Sequence, residues 1–128
     1  MAACSAVIGR SEKFLSANSD RTLHLAEICA ATGAAERTLR YCCEEHLGMG
    51  PVRYLWLRRL HLARVALIRA DPAITTVAEI ATRFEFWQLG RFAVSYRGLF
   101  GESPSATLQG PSRDLGPLAK IYHFAETE

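Results

Sequence analysis

The sequence lacks the long apolar runs that a membrane-spanning protein needs. No uninterrupted apolar stretch in its 128 residues comes near the roughly 18 residues of a spanning helix. The N-terminal segment MAACSAVIGRSEKF also lacks the basic start and long apolar stretch of a secretory signal. Hydrophobic residues at 49% and charged residues at 22% are typical of an ordinary globular protein. We therefore expect a cytoplasmic protein that makes no contact with membranes.

The cysteines and histidines lack the spacing of a metal site. Four cysteines are present, without C-x-x-C spacing and without a histidine at a metal-ligand interval. Adjacent side chains of a helix point in different directions, so Cys42 and Cys43 are poorly placed to bond each other. We expect reduced, structural thiols, with redox sensing as the alternative. Because no nucleophile, base or metal set converges either, the sequence predicts neither an enzyme nor a cofactor.

Lysine is nearly absent, since 13 of the 15 basic residues are arginine. The planar fork of arginine suits phosphate groups and guanine edges. Between Ala34 and Gly101, ten arginines stand against six acidic residues, a net charge of +4, whereas the whole chain carries +2. This distribution is compatible with a nucleic-acid partner, but the arginine count equally fits a GC-rich genome.

The chain contains an internal repeat of helical type. The segment LAEICA from Leu25 matches VAEIAT from Val77 at an offset of 52, and LGMGPVRYL from Leu47 matches FGESPSATL from Phe100 at an offset of 53. A turn between the two matched blocks can absorb the difference of one residue. Each copy therefore predicts a short helix, a turn, a longer helix, a glycine and then a proline that opens another helix.

Local signals agree with this repeat. Thr76 and Glu79 fit a capping box that starts a helix, and Gly33 fits the left-handed end of the corresponding first-copy helix. The longer helices are predicted at about 35–46 and 88–99, the second with an apolar stripe of Phe92, Tyr96 and Leu99.

A long helix is predicted between the copies, from about residue 51 to 70, because this stretch contains no internal glycine or proline. At 1.5 Å per residue it is about 28 Å long, with arginines at its polar positions. We predict an all-α protein of about seven helices, with a double helix-turn-helix domain at 1–110. This domain is predicted to consist of lobe one at about 3–50, the linker helix, and lobe two at about 71–110. Residues 111–128 form a C-terminal tail with scattered apolar residues.

Two short helices joined by a tight turn, the second with a polar outer face, describe a helix-turn-helix. Such a unit places its second helix in the major groove, and two units in one chain can address successive grooves about 34 Å apart. Helical repeats also build protein-binding solenoids, which usually need three or more units. A helical protein-interaction module therefore stays open as the alternative.

Motifs along the chain resemble the DNA-binding domain of AraC/XylS-type transcriptional regulators. The resemblance covers about 23–108, in family order and spacing. It is carried by LAEICAATG, RTLRY with EEHLGMGP, YLWLRRLHLAR, VAEIATRF and FWQLGRFAVSYRGLFGESPS. It implies seven helices in two lobes joined by a long helix, a duplicated homeodomain-like fold, with double-stranded promoter DNA as the partner.

The resemblance also implies roles for single residues. In the first recognition helix the base-facing positions are Arg37, Arg40 and Tyr41, with Thr38 alongside. Either arginine can place its fork on guanine O6 and N7, although each can instead be solvated or bind phosphate.

The second recognition helix is less well equipped to read bases. Gln88 and Arg91 are its predicted base contacts, while Leu89 and Val94 can only touch a thymine methyl group. Ser95 and Arg97 are predicted on phosphates, which position a protein without specifying sequence. Trp87 is predicted to pack at the start of this helix, with a contact to DNA as the alternative.

The resemblance leaves the roles of two residues near the second turn undecided. Many family members have glycine where this chain has Glu85, and a positive φ there would strain the backbone by roughly 1 kcal/mol. Arg59 of the linker helix lies where the family has a basic residue. It is predicted either to meet phosphate or to hold the lobes together.

The resemblance admits two versions of the whole protein. Either this is a small stand-alone activator, or it is the C-terminal part of a larger regulator whose N-terminal domain senses an effector and dimerises. We favour the second, because the chain starts near the first helix of the domain and no segment suggests a ligand pocket. A contact with RNA polymerase is a further expectation in either case.

Overall fold

The computed structural model describes residues 2–110, and this part of the chain is all-helical with no strand. The predicted fold class and the predicted order of helices are confirmed. The tail prediction for 111–128 lies outside the described residues. The seven helices are α1 (Ala2–Ala17), α2 (Leu25–Thr32), α3 (Glu36–Leu47), α4 (Pro51–Arg69), α5 (Val77–Arg83), α6 (Leu89–Phe100) and α7 (Pro104–Gln109).

The described chain divides into two compact units between Arg58 and Arg59, within α4. Unit 1 is formed by α1, α2, α3 and the first part of α4. Unit 2 is formed by the rest of α4 with α5, α6 and α7. Each unit contains one short helix, a turn and one longer helix of 12 residues, α3 or α6.

Unit 1 is built on an aliphatic core with two cysteines at its centre. Apolar positions of α1, α2 and α3 meet there, and Leu39 and Cys42 of α3 are completely buried. The core residues are Cys4, Val7, Ile8, Leu23, Ile28, Leu39, Cys42, Cys43 and Leu55.

Cys4 of α1 and Cys42 of α3 form a disulfide, with their Cα atoms 5.2 Å apart. The expectation of reduced thiols is therefore wrong for this pair. The two residues lie 38 positions apart in the sequence, so only tertiary packing brings them together. Burial raises the pKa of the neighbouring Cys43 to about 11, and this thiol stays protonated and unreactive at neutral pH.

Unit 2 combines buried aliphatic side chains, such as Leu60, Leu67 and Ile80, with a row of aromatic rings. Phe92 lies 4.7 Å from Phe86 and 5.6 Å from Tyr96, measured between ring centroids, and Tyr96 lies 4.6 Å from Phe100. Phe92 and Tyr96 of the predicted apolar stripe are buried, whereas Leu99 is largely exposed. Three of these rings belong to α6, and Phe86 of the preceding turn packs against Phe92. The row therefore marks the face of α6 that is turned inward.

Two arginines of α4 are buried, although the sequence suggested polar surface positions for both. Arg58 donates to the backbone carbonyls of Asn18 and Arg21, at 2.6 and 2.8 Å, within unit 1. These carbonyls belong to the chain segment that follows α1, so Arg58 fixes the path between α1 and α2. A buried guanidinium is tolerated only where its donors are satisfied in this way.

The second buried arginine, Arg64, belongs to a polar network beneath α6. Its Nη1 donates to Tyr96 Oη at 3.3 Å and pairs with the Glu102 carboxylate at 3.5 Å. Tyr96 in turn donates to Thr107 Oγ1 at 2.8 Å, and Thr107 donates to Glu102. Because Tyr96 is part of α6, this network holds the longer helix of unit 2 in place.

Candidate nucleic-acid interface

Helix α3 turns a polar face away from the core of unit 1. It starts after Ala35, whose backbone is extended, and ends at Gly48 in the left-handed conformation with φ 74°. Leu39, Cys42 and Cys43 are buried, which by the periodicity of the helix leaves the opposite side outside. The four side chains that the sequence assigns to base contact are all exposed there: Arg37, Thr38, Arg40 and Tyr41.

The exposed face of α3 carries one visible internal contact. Arg40 Nη2 lies 3.4 Å from the Glu36 carboxylate, one turn earlier, and both side chains are about half exposed. Ion pairs between exposed groups are weak and are screened by salt. The guanidinium of Arg40 is therefore available to a stronger acceptor, such as a guanine edge or a phosphate.

Helix α6 presents the corresponding face of unit 2. Gln88 is its N-cap residue with an extended backbone, and Gly101 ends it with φ 79°. Gln88, Arg91 and Arg97 are exposed, whereas Ser95 is only partly accessible. The helix contains no acidic residue, in contrast to α3 with Glu36, and its outer face is therefore purely cationic where it is charged.

Trp87 does not pack at the start of α6 as predicted. Its side chain is 71% exposed. The aromatic residue that fills this part of the core is the preceding Phe86, which contacts Phe92. Where two aromatic residues are adjacent at a turn, the sequence does not show which of them enters the core. The prediction that Trp87 packs there is therefore wrong.

In each unit, the turn that follows the short helix contains one residue with a positive φ. Gly33 ends α2 with φ 73°, and Glu85 follows α5 with φ 66°. The second value answers the question that the sequence left open, since an ordinary residue occupies a left-handed position. The predicted capping box of Thr76 and Glu79 is present at the other end of α5, where Thr76 Oγ1 accepts from Glu79 N at 3.1 Å.

Arg59 supports this second turn. Its Nη1 donates to the carbonyls of Phe84 and Glu85 at 3.3 and 3.2 Å, and its guanidinium lies 4.7 Å from the centre of the Phe86 ring. Burial lowers the pKa of Arg59. The side chain is thus engaged within unit 2, and its predicted phosphate contact stays a prediction.

Sequence reasoning found the exposed residues of both longer helices but missed the groups that hold these helices in place. A signal for Arg64 exists, because it lies between Leu60 and Leu67 on the same face of α4, at helical spacing. In the described part of the chain, no cluster of three or more histidine, cysteine or acidic side chains could hold a metal ion. Among the described helices, none has the length and apolar character to cross a bilayer.

Comparison with known proteins supports a helix-turn-helix domain in this chain. The model of a helix-turn-helix domain family matches residues 28–110. The probable thc operon regulatory protein of Rhodococcus erythropolis is 40% identical over 96 residues, and the XylDLEGF operon transcriptional activator 2 of Pseudomonas putida is 34% identical over 99 residues. These alignments cover 75% and 77% of the chain.

A solved structure is similar over most of its length. It is the crystal structure of a probable AraC family transcriptional regulator from Rhodopseudomonas palustris, with a TM-score of 0.66 and 34% identity. The match covers 80% of this chain and 94% of that chain. By contrast, the chain spans only 29% of the Rhodococcus regulator and 63% of the Pseudomonas activator. With its duplicated helix-turn-helix order and these matches, the chain belongs to the AraC/XylS-type family of DNA-binding transcription regulators.

Proposed function

We propose that the chain is the sequence-reading part of a larger transcriptional activator, with α3 and α6 in successive major grooves of promoter DNA. The observation that carries this proposal is the face of α3, where four hydrogen-bonding side chains are exposed on the side opposite the buried Leu39 and Cys42. Such a face is what a recognition helix needs, because its inner side fixes the helix while its outer side reaches base edges.

Within this proposal the two helices have different tasks. Arg37, Thr38, Arg40 and Tyr41 contact bases from α3. A bidentate arginine–guanine contact is worth about 1–3 kcal/mol of discrimination. Gln88 and Arg91 make the base contacts of α6. Phosphate contacts come from Ser95, Arg97 and Arg59, of which Arg97 is the most exposed and Arg59 is partly occupied by the turn carbonyls.

The remaining parts of the proposal concern the whole protein. The short coverage of the relatives supports a further N-terminal module, which would sense an effector and dimerise the regulator. Several relatives are named as activators, which supports activation, with RNA polymerase as a contact. We propose that the protein works in the cytoplasm, where the chromosome lies, and has no catalytic role.

Binding to DNA across a salt series tests the proposal. A preferred duplex is first selected from a random library, and its affinity is then compared with that of a scrambled duplex. We expect a clear preference and a steep negative slope of log affinity against log salt concentration, because phosphate contacts release counterions. Equal affinity for both duplexes, or a salt-independent affinity, would contradict a specific regulator and favour a protein-interaction module.

Two arginine variants separate base contacts from phosphate contacts. Arg40→Ala is expected to lose about 1–3 kcal/mol of binding and to relax preference at one base pair. Arg97→Ala is expected to weaken all duplexes alike and to reduce the salt slope by about 1. If Arg40→Ala leaves the preference at every base pair intact, its assignment as a base contact is wrong.

A further inference from the structure

The outer face of α6 has an apolar centre that the fold does not use. Val94 lies in the middle of the helix and is 75% exposed, and Trp87, two residues before α6 begins, is 71% exposed. Single exposed apolar residues are common on protein surfaces, so the meaning of these two depends on what lies beside them on the same face of the helix.

Comparison with α3 shows what has been replaced. The two helices have equal length and end at the equivalent glycines, Gly48 and Gly101. In this alignment Val94 corresponds to Tyr41 and Gly90 corresponds to Arg37. Arg40 likewise corresponds to Ala93, and only Thr38 is matched by a hydrogen-bonding residue, Arg91. Three of the four hydrogen-bonding positions of unit 1 are therefore apolar or glycine in unit 2.

The positions one turn before and one turn after Val94 on α6 are both glycines, Gly90 and Gly98. A Cβ atom built on either glycine meets no atom within 4 Å. Packing therefore does not require glycine at these positions, although glycine inside a helix costs about 1 kcal/mol relative to alanine. Without side chains on either side, the valine methyl groups can reach a surface that the helix backbone approaches closely.

Charge on the same helix identifies the occupant as DNA. Arg91 and Arg97 flank Val94 by about one turn on each side, and α6 carries no acidic residue. An apolar centre between two cations matches the major groove, where thymine presents its 5-methyl group between two rows of phosphates.

We infer that unit 2 recognises thymine through its 5-methyl group, with Val94 and Trp87 as the contacting side chains. This inference rests on the proposed function and makes it more specific: unit 2 adds the selection of thymine through apolar contact to the base contacts of Gln88 and Arg91. It adds Trp87 to the specificity-determining residues of the chain, and it assigns the thymine contact that the sequence allows for Val94 to the exposed centre of α6.

Deoxyuridine in place of thymine tests the inference, because it removes only the methyl group. Each thymine of the selected duplex is replaced singly, and the dissociation constant is measured by fluorescence anisotropy at one fixed salt concentration. We expect one or two positions to weaken binding about fourfold each, the effect of about 0.8 kcal/mol for one buried methyl group. At these positions Val94→Ala should bind the thymine and uracil duplexes equally, and Trp87→Ala should reduce the difference.

Leu99→Ala is the matched control, since Leu99 is another exposed apolar residue of α6 but lies off the Val94 face. It should keep the full difference between thymine and uracil. If no position of the duplex distinguishes the two bases, or if Val94→Ala keeps the difference, the inference is overturned while sequence-specific binding still supports the proposed function. If the wild-type chain binds no duplex specifically, the proposed function itself fails. Circular dichroism checks that each variant is folded.

Discussion

Units 1 and 2 share one order of helices, yet different interactions stabilise them. Unit 1 has an aliphatic core that is cross-linked by Cys4 and Cys42. Unit 2 has a row of aromatic rings and, beneath them, the hydrogen-bonded network of Arg64, Tyr96 and Glu102. The helical repeat therefore conserves the positions that must be buried but not the chemistry that fills them. Each unit should accordingly respond to a different chemical stress.

Reduction of the disulfide is expected to have the largest effect, and to act on unit 1. Closing a loop of 38 residues restricts the unfolded chain by about 4 kcal/mol in the chain-entropy model. A thiol reductant, or the double variant Cys4→Ala with Cys42→Ala, should therefore lower the free energy of unfolding and speed amide exchange in α1 and α3. Hydrogen exchange followed by mass spectrometry on separate peptides measures this.

Cys29→Ala serves as the control for this experiment, because Cys29 is a free thiol of the same unit. It should leave the response to reductant unchanged. A loss of protection in α5 and α6 as large as that in α1 and α3 would show that the cross-link does not act on unit 1 in particular.

Acid should act on unit 2, through His61. This imidazole is buried at an edge-to-face distance of 4.9 Å from Phe100, and its Nδ1 makes no hydrogen bond within the described chain. Burial and the nearby Arg64 lower its pKa from 6.5 to about 4. The folded state thus binds fewer protons than the unfolded state between these values. Stability is full above pH 6.5 and falls as pH decreases toward 4, by about 3 kcal/mol.

Urea unfolding at pH 7 and at pH 4.5 measures this loss. The variant His61→Leu keeps an apolar side chain at the site and cannot take up a proton. We expect a clearly smaller difference between the two pH values for this variant, and amide exchange in α6 and α7 that no longer accelerates in acid. If His61→Leu loses as much stability in acid as the wild-type chain, another group is responsible for the pH dependence.

Neither the disulfide between Cys4 and Cys42 nor the burial of His61 could be predicted from the sequence. Helix order, the Gly33 cap and the Thr76 capping box follow from local periodicity and from local hydrogen bonds, which short segments encode. Burial of Arg58 depends on carbonyls 37 and 40 positions away, and no local pattern contains that information.

The interface was predicted unevenly for the same reason. Exposed side chains of α3 follow from helical spacing once Leu39 is placed inside. The environment of Trp87 depends on whether it or Phe86 enters the core, a choice that only packing makes. Residue types and periodicity thus predict where a helix faces, while tertiary contacts decide which apolar residues remain available to a partner.

The smallest expected effect concerns the two turns, at Gly33 and Glu85. Both positions have a positive φ, which costs a residue with a Cβ atom roughly 1 kcal/mol. A Cβ atom at Gly33 would meet no atom within 4 Å, so only the backbone conformation should matter there. We expect glycine to be more stable than alanine by about 1 kcal/mol at both positions, in thermal or urea unfolding of Gly33→Ala, Glu85→Gly and Glu85→Ala.

The comparison of Glu85→Gly with Glu85→Ala is sharper than either variant alone. Both remove the carboxylate, including its favourable interaction with Arg59, and they differ only in the Cβ atom. Gly9, in the middle of α1, is the reference position, since an interior helical site should show the reverse order, with alanine more stable than glycine. If Glu85→Ala is more stable than Glu85→Gly, as at an ordinary helical site, the left-handed backbone at position 85 costs nothing. The second turn would then differ from the first in strain as well as in sequence.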